Sequence, residues 1–457
     1  MAARSGCRRG GFNRKGRKKR GATTFKCNSM KRIEPVKKPL RGEIVVPGDK
    51  SIAHRAVMLA SVAKGQSHIS NLSAGDDNSR TVRAFRLLGV EIFRSGEALC
   101  VEGKGWDGLQ APAAVIDCGN SGTTMRLMSG ALAGRPFLSR LDGDGSLRQR
   151  PMQRIIDPLR LMGANIVSAA DNGLAPLEIR GGGLHGIHYP MPIASAQVKS
   201  AILLAALQAS GTTTVVEPIK SRDHTEVMLA GFGCRVSAQG NVVTLDCGQS
   251  LVAQDVRIPG DISAAAFFLV AAATVPGSDI AIRNVGCNPT RDGIIEVLKR
   301  MGAAIELINV RSEAGERVAD IRARGGALRG VEVEPELAAR TIDEYPVLSV
   351  AAALAGGVTK FSGVKELRYK ESDRIAAMTE GLRRLGVKVE EREDGMTIYG
   401  GGCLRGGEVR SFADHRVAMS FAVAALSSDG GIEIDDARCA DISFPTFFDL
   451  MDQMRLQ

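Results

Sequence analysis

Cationic and small polar residues recur where Ala-rich apolar runs begin. Asp49-Lys50-Ser51 with Arg55 opens one run, and Gly119-Asn120-Ser121-Gly122-Thr123-Thr124 with Arg126 opens another. Ser195-Ala196-Gln197-Val198-Lys199, Asp343-Glu344-Tyr345 and Asp414-His415-Arg416 open three more. Three longer segments add cations: Gln149-Arg150-Pro151, Ser221-Arg222-Asp223-His224, and Arg368-Tyr369-Lys370-Glu371-Ser372-Asp373-Arg374. A helix N-terminus offers free N–H groups and partial positive charge, so it favours anions. A lone Arg at such a start is more often a solvated surface residue, and a lone Asp-His-Arg is usually structural. A whole set in one chain predicts a site for small, multiply charged anions such as phosphates and carboxylates, provided the loops converge on one cleft. There is no Walker A motif and no His/Cys/Asp/Glu set at metal-ligand spacing. Neither that nucleotide cradle nor a metal is therefore expected.

The elements that must position these loops form a repeat. A small-residue loop opens an apolar helix; a Gly-marked turn, a β-branched strand, an amphipathic helix and a strand or hairpin follow. The apolar helices are predicted to begin near His54, Thr124, Val198, Ala264, Tyr345 and His415. The second helices end alike, in FRLLGVEI, LRLMGANI, LKRMGAAI and LRRLGVKV. The unit reads βαβαββ, six times over. PGDKSIAHRAVML at Pro47 resembles PGDISAAAFFLV at Pro259, which divides the chain into two domains of three units, with Pro-Gly crossovers suited to a hinge. The expected boundaries are 1–32 for a basic, disordered extension, 33–47 plus 261–457 for the first domain and 48–260 for the second.

The net charge of +10 misleads. Residues 1–32 hold twelve Lys/Arg and no acid, leaving 48 basic against 50 acidic residues in the body. A basic nucleic-acid binder is not indicated outside the tail, which reads as a dispensable extension, a transit peptide or an RNA-touching arm. The nine cysteines form no CxxC pair, so disulfides and zinc knuckles are not expected. The longest apolar run, Ala264 to Val275, is too short for a bilayer. A cytoplasmic monomer is expected, plastid-targeted only if the tail is a transit peptide.

The motifs PGDKSIAHRA, GNSGTTMRLMSGAL, DGSLRQRPM, SAQVKSAILLA, EPIKSRDHTEVML, DEYPVLSVAA, RYKESDRIAAMTEGLRRLG and FADHRVAMSF stand in that order. From about Pro39 to its end the chain resembles the 5-enolpyruvylshikimate-3-phosphate synthase family of enolpyruvyl transferases. The resemblance implies an α/β fold of two domains, each of three βαβαββ units around a pseudo-threefold axis, an inverted α/β barrel-like arrangement with a cleft between the domains. It implies transfer of the enolpyruvyl group of phosphoenolpyruvate to the 5-hydroxyl of shikimate 3-phosphate, releasing phosphate, on the shikimate pathway to chorismate and aromatic amino acids. No cofactor is implied. The herbicide glyphosate becomes a plausible inhibitor.

Residue roles follow from the same resemblance. Lys50 contacts both substrates. Ser51, Arg55, Ser195, Gln197, Arg222, Asp343 and Lys370 hold shikimate 3-phosphate. Asn120, Gly122, Arg150, Gln197, Arg374 and Arg416 hold phosphoenolpyruvate. Asp343 and Glu371 move protons, with Lys50 and His415 beside them. Two departures stand out: Ile442 replaces a Lys that some members use for phosphoenolpyruvate, and Ala196 replaces a second Ser. The rival reading, enolpyruvyl transfer to UDP-N-acetylglucosamine, is disfavoured because the opening pair is Lys50-Ser51 and not Lys-Asn, and because Leu141 to Arg150 holds no Cys.

Overall fold

The computed structural model describes residues 30–73 and 75–456; the basic segment before Met30 lies outside them. Among the described residues, five four-stranded sheets and one three-stranded sheet make up the strand content, and none of the six closes into a barrel. Residues 116–180 show the unit in full: strand Ile116–Asp117, helix Gly122–Leu132, strand Leu138–Asp142, helix Gln153–Leu161, then strands Asn165–Ser168 and Leu177–Arg180. The first two strands pair in parallel and the others antiparallel, because a helix crossover returns the chain in the same sense whereas a hairpin reverses it.

Six inner helices carry the loops of interest: α1 (Lys50–Val62), α2 (Gly122–Leu132), α3 (Ala196–Ala206), α4 (Ile262–Thr274), α5 (Tyr345–Leu354) and α6 (His415–Leu426). Their sequences are apolar nearly all round, and almost every residue is buried. Such helices can only sit inside a body, covered by sheets and amphipathic helices. The cores are two. One is built from residues 52–258, the other from residues 33–46 and 262–454.

The chain passes between the bodies twice, and at each pass it exchanges a strand. Arg41–Val45 pairs in parallel with Asp279–Gly286 of the second half, and Val256–Arg257 pairs in parallel with Lys64–Ser70 of the first. At the crossings Gly48 and Gly260 face each other in an antiparallel bridge. Asp49 N–H donates to Pro259 O and Asp261 N–H donates to Pro47 O, both at 2.8 Å. A Cβ on Gly48 would stand 2.0 Å from Asn71 O, so only glycine admits this crossing.

Three sequence expectations need correction. Four inner helices begin two to four residues earlier than the apolar pattern implied, because Asp49, Ser121, Ser195 and Asp261 each cap a helix N–H with a side-chain oxygen. The cap, not the first apolar residue, sets the start. The sixth unit is short: Gly407–Val409, α6 and Ile432–Ile434 are completed by strand Lys31–Ile33 from the far end of the chain, paired antiparallel. Lys31 and Arg32 are therefore part of a sheet and not of a disordered extension.

Helices α2 and α3 approach so closely that a Cβ on Gly130 would meet Ala201 O at 2.1 Å. Gly130→Val is expected to destabilise the fold by about 2–3 kcal/mol through overpacking, read as a lower urea midpoint. An unchanged midpoint would contradict this contact.

Candidate active site

Between the two bodies lies a cavity of about 440 Å³. The helix starts converge on it. Lys50 and Ser51 come from the first turn of α1 and Arg55 from the next; Asn120, Gly122 and Thr123 come from the start of α2, and Ser195 and Gln197 from the start of α3. Asp343 precedes α5 and Arg416 stands in the first turn of α6. Arg150, Arg222, Lys370 and Glu371 come from the loops before the outer helices, and Arg374 is the first residue of helix Arg374–Arg384. Every residue expected at the site lines the cavity except His415, which is buried with its Nε2 unpartnered. His415 opens α6 without lining the cavity, yet it lies within the field of Asp414, Glu371, Lys50 and Arg416.

Ten Lys or Arg side chains line the cavity against five Asp or Glu, an excess of five positive charges. Three of those cations fell outside the expected set, Arg126, Arg154 and Arg291, and the cross-cleft role of Arg154, through its pairing with Glu366, is the least legible. Arg126 lies one turn into a marked helix start, and Arg291 precedes helix Gly293–Arg300 in the same way as the residues recognised; a consistent reading of every helix start would have found both. Asp77, Asp261 and Glu366 were also missed. Acids break the cationic pattern, so that pattern could not reveal them. Of the two departures, Ala196 lines the cavity, whereas Ile442 packs against the core of its own body.

The carboxylates keep the cations in order. Asp343 bonds Arg222 of the other body and lies 3.5 Å from Lys370 and 3.6 Å from Arg374. Glu371 accepts from Arg374 at 2.8 Å and faces Arg150 at 3.9 Å. Asp414 accepts from Arg374 Nε at 2.9 Å, and Lys50 donates to Asp77 at 2.9 Å. Arg154 donates to Glu366 across the cleft at 3.0 Å. Among the described residues Arg55, Arg126 and Arg416 make no ion pair; they are held by neutral acceptors, as in Arg126 to Gln197 at 2.5 Å and Arg416 to Asp343 O at 3.1 Å. Arg126 and Arg150 each keep a buried Nε–H without a partner in the protein.

Protonation follows from the packing. Burial raises the Asp343 and Glu371 carboxyls, but the surrounding cations outweigh it, Arg222 first for Asp343 and Arg374 first for Glu371. Both are held well below the usual carboxylate range. Burial lowers the Lys50 ammonium, but Asp77 and Glu371 more than restore it, so it is raised. Lys370 is lowered, by burial first, against the pull of Asp343. Burial pushes His415 down to about 4 and His54 to about 3, so both stay neutral.

The architecture is shared: the enolpyruvyl transferase NikO from Streptomyces tendae has the same fold, with a TM-score of 0.74 at 17% identity over 93% of this chain and 97% of that one. The chain belongs to the EPSP synthase (3-phosphoshikimate 1-carboxyvinyltransferase) family, whose model matches residues 35–451. It is similar to the 3-phosphoshikimate 1-carboxyvinyltransferase of Pelobacter propionicus, 51% identical over 416 residues, 91% of this chain and 96% of that protein. The Bacillus cytotoxicus enzyme of the same name is 50% identical over 90% of this chain and 97% of its own length. The solved EPSP synthase of Acinetobacter baumannii has a TM-score of 0.84 at 45% identity, covering 93% of this chain and 98% of that one.

The titrations fix how stability depends on acidity. His54 and His415 are neutral when folded and protonate when unfolded, so stability falls as pH drops below about 6.5. Asp343 and Glu371 have depressed folded values, so their contribution is present above about 4 and is lost as pH falls from there. Asp343→Asn should leave the first decline intact and reduce the slope of the second, as followed by urea midpoints between pH 7 and 3. Equal slopes below pH 4 in both proteins would count against the Asp343 assignment.

Proposed function

We infer that this chain catalyses transfer of the enolpyruvyl group from phosphoenolpyruvate to the 5-hydroxyl of shikimate 3-phosphate, with release of inorganic phosphate. One observation carries the reading: Lys50, Arg150, Lys370, Arg374 and Arg416 gather around a single cavity that also holds Asp343 and Glu371. Two phosphorylated carboxylic acids need that many cations, and an addition followed by an elimination needs two proton carriers.

Shikimate 3-phosphate takes Ser51, Arg55, Ser195, Gln197, Arg222 and Lys370. Phosphoenolpyruvate takes Asn120, Gly122, Arg150, Arg374 and Arg416, with Lys50 and Gln197 touching both. A Cβ on Gly122 would stand 3.4 Å from the guanidinium groups of Arg126 and Arg150, just where the second substrate's charge must sit. Asp343, ionised and beside the Lys370 ammonium, removes the hydroxyl proton as the oxygen attacks C2 of the enol. Glu371 delivers a proton to C3 and later removes one from the resulting methyl group. As an ionised group it must first be protonated. Substrate anions on Arg374 and Arg150 weaken the pull that holds its value down and so favour that protonation. Lys50, raised and fully charged, neutralises the departing phosphate. The cleft excludes water, which would otherwise hydrolyse the tetrahedral intermediate.

The two bodies serve as the domains, 48–260 and 33–47 with 261–457, turning on the paired crossings at Gly48 and Gly260. Among the described residues no helix is long and apolar enough to cross a membrane, and we place the enzyme in the cytoplasm as a monomer.

Phosphate release should require both phosphoenolpyruvate and shikimate 3-phosphate, and UDP-N-acetylglucosamine should not replace the latter. Asp343→Ala should bind both substrates while kcat falls by about 10²- to 10⁴-fold, the range of general acid–base contributions. Near-normal turnover in that variant would remove Asp343 from the proton path.

A further inference from the structure

A second charged cluster lies under the cleft, and the reaction does not use it. Lys199 on α3 is 0% exposed. Its Nζ stands 2.8 Å from Glu217 Oε2 and 2.7 Å from Glu226 Oε1, and both carboxylates are buried. Burying three charges costs desolvation that apolar packing of the same volume would avoid, so stability alone does not account for the cluster.

Its connections do. The other oxygen of Glu217, Oε1, accepts from the Ser221 N–H at 3.2 Å and from the Ser221 hydroxyl. Ser221 and its neighbour Arg222 line the cavity, and Arg222 reaches across to Asp343. Residues adjacent to Lys199 and Glu226 on both helices hold the other cation on this side. Arg55 Nη2 donates to Ser200 Oγ and Arg55 Nε donates to Thr225 Oγ1, each at 2.7 Å. One polar layer, packed between α1, α3 and helix His224–Gly231, thus sets both Arg55 and the turn that carries Arg222.

We propose that Lys199 and Glu217 are positioning residues for the shikimate 3-phosphate site: Lys199 fixes Glu217, Glu217 fixes Ser221 by backbone and hydroxyl, and the turn so held places Arg222. This rests on the assignment of Arg222 to that substrate. The arrangement needs a carboxylate, since one oxygen serves the ammonium while the other serves the turn. A glutamine has a single acceptor oxygen and cannot satisfy both.

Steady-state kinetics test it. Glu217→Gln should raise KM for shikimate 3-phosphate about tenfold, the equivalent of one lost charge-assisted hydrogen bond, with kcat and KM for phosphoenolpyruvate within about twofold of the parent. A lower kcat at unaltered KM is what mere loss of folded protein would give, and it would overturn the proposal. Ser221→Ala should raise the same KM, and the double variant should raise it no further than the larger single effect; full additivity would overturn it too. Should Glu217→Gln not fold, the charge-free triple Lys199→Met, Glu217→Gln, Glu226→Gln removes every buried charge of the cluster and must show the raised KM; a parental KM there sinks the proposal. Arg222→Lys separates the two levels. If it raises KM for shikimate 3-phosphate while Glu217→Gln does not, only the positioning role fails. If it leaves that KM untouched, the assignment of Arg222 fails and the positioning role with it.

Discussion

Everything in this molecule answers to mutual repulsion among cations. Ten Lys and Arg side chains face one cavity, and like charges about 4 Å apart repel by roughly 4 kcal/mol at the effective dielectric of a protein surface. The folded chain tolerates this because each cluster is tied by an acid of suitable reach. Asp343 ties Arg222, Lys370 and Arg374; Glu371 and Asp414 both hold Arg374; Asp77 holds Lys50. Arg374 is almost fully buried and is stable there as a cation because three carboxylates surround it, which raises its guanidinium further. The arginines without a carboxylate are the exceptions, and they are where an anion would gain most.

The fold supplies the rest of the stabilisation. Six helices start at or beside the cleft, so their N-terminal dipoles add positive potential without adding side chains to hold apart. The capping oxygens of Asp49, Ser121, Ser195, Asp261 and Asp414 satisfy N–H groups and leave others for a ligand. This geometry is possible because the helices are apolar all round and can be buried whole. Their starts then all point to the one place where two bodies meet.

Much of this was legible in the sequence. Helices α5 and α6 begin at Tyr345 and His415 as their apolar patterns require, and the repeat of PGD at Pro47 and Pro259 marks the strand exchange. Cationic residues at helix starts were readable because dipole and side chain act in the same sense. What could not be read was relational. Lys31–Ile33 completes a sheet some four hundred residues away in the chain, and no local pattern announces a strand whose partner is so distant. Arg154 looks like any first-turn surface residue until Glu366 of the other body is placed against it. His415 sits in a motif full of site residues, yet Arg416 lines the cavity and His415 does not. Lys199 reads as one more cation at a helix start, and only the placement of Glu217 and Glu226 shows it to be buried beneath the site.

Charge tuning and domain contact are one event here. Asp343 belongs to one body, but the cation that lowers its carboxyl most is Arg222 from the other. Glu371 likewise owes part of its depression to Arg150 and Lys50, both across the cleft. Separation of the bodies would leave each carboxyl with only the cations of its own side, and its value would rise toward the ordinary range. The depression of both carboxyls therefore depends in part on contact between the two bodies, with the cations of their own side supplying the rest.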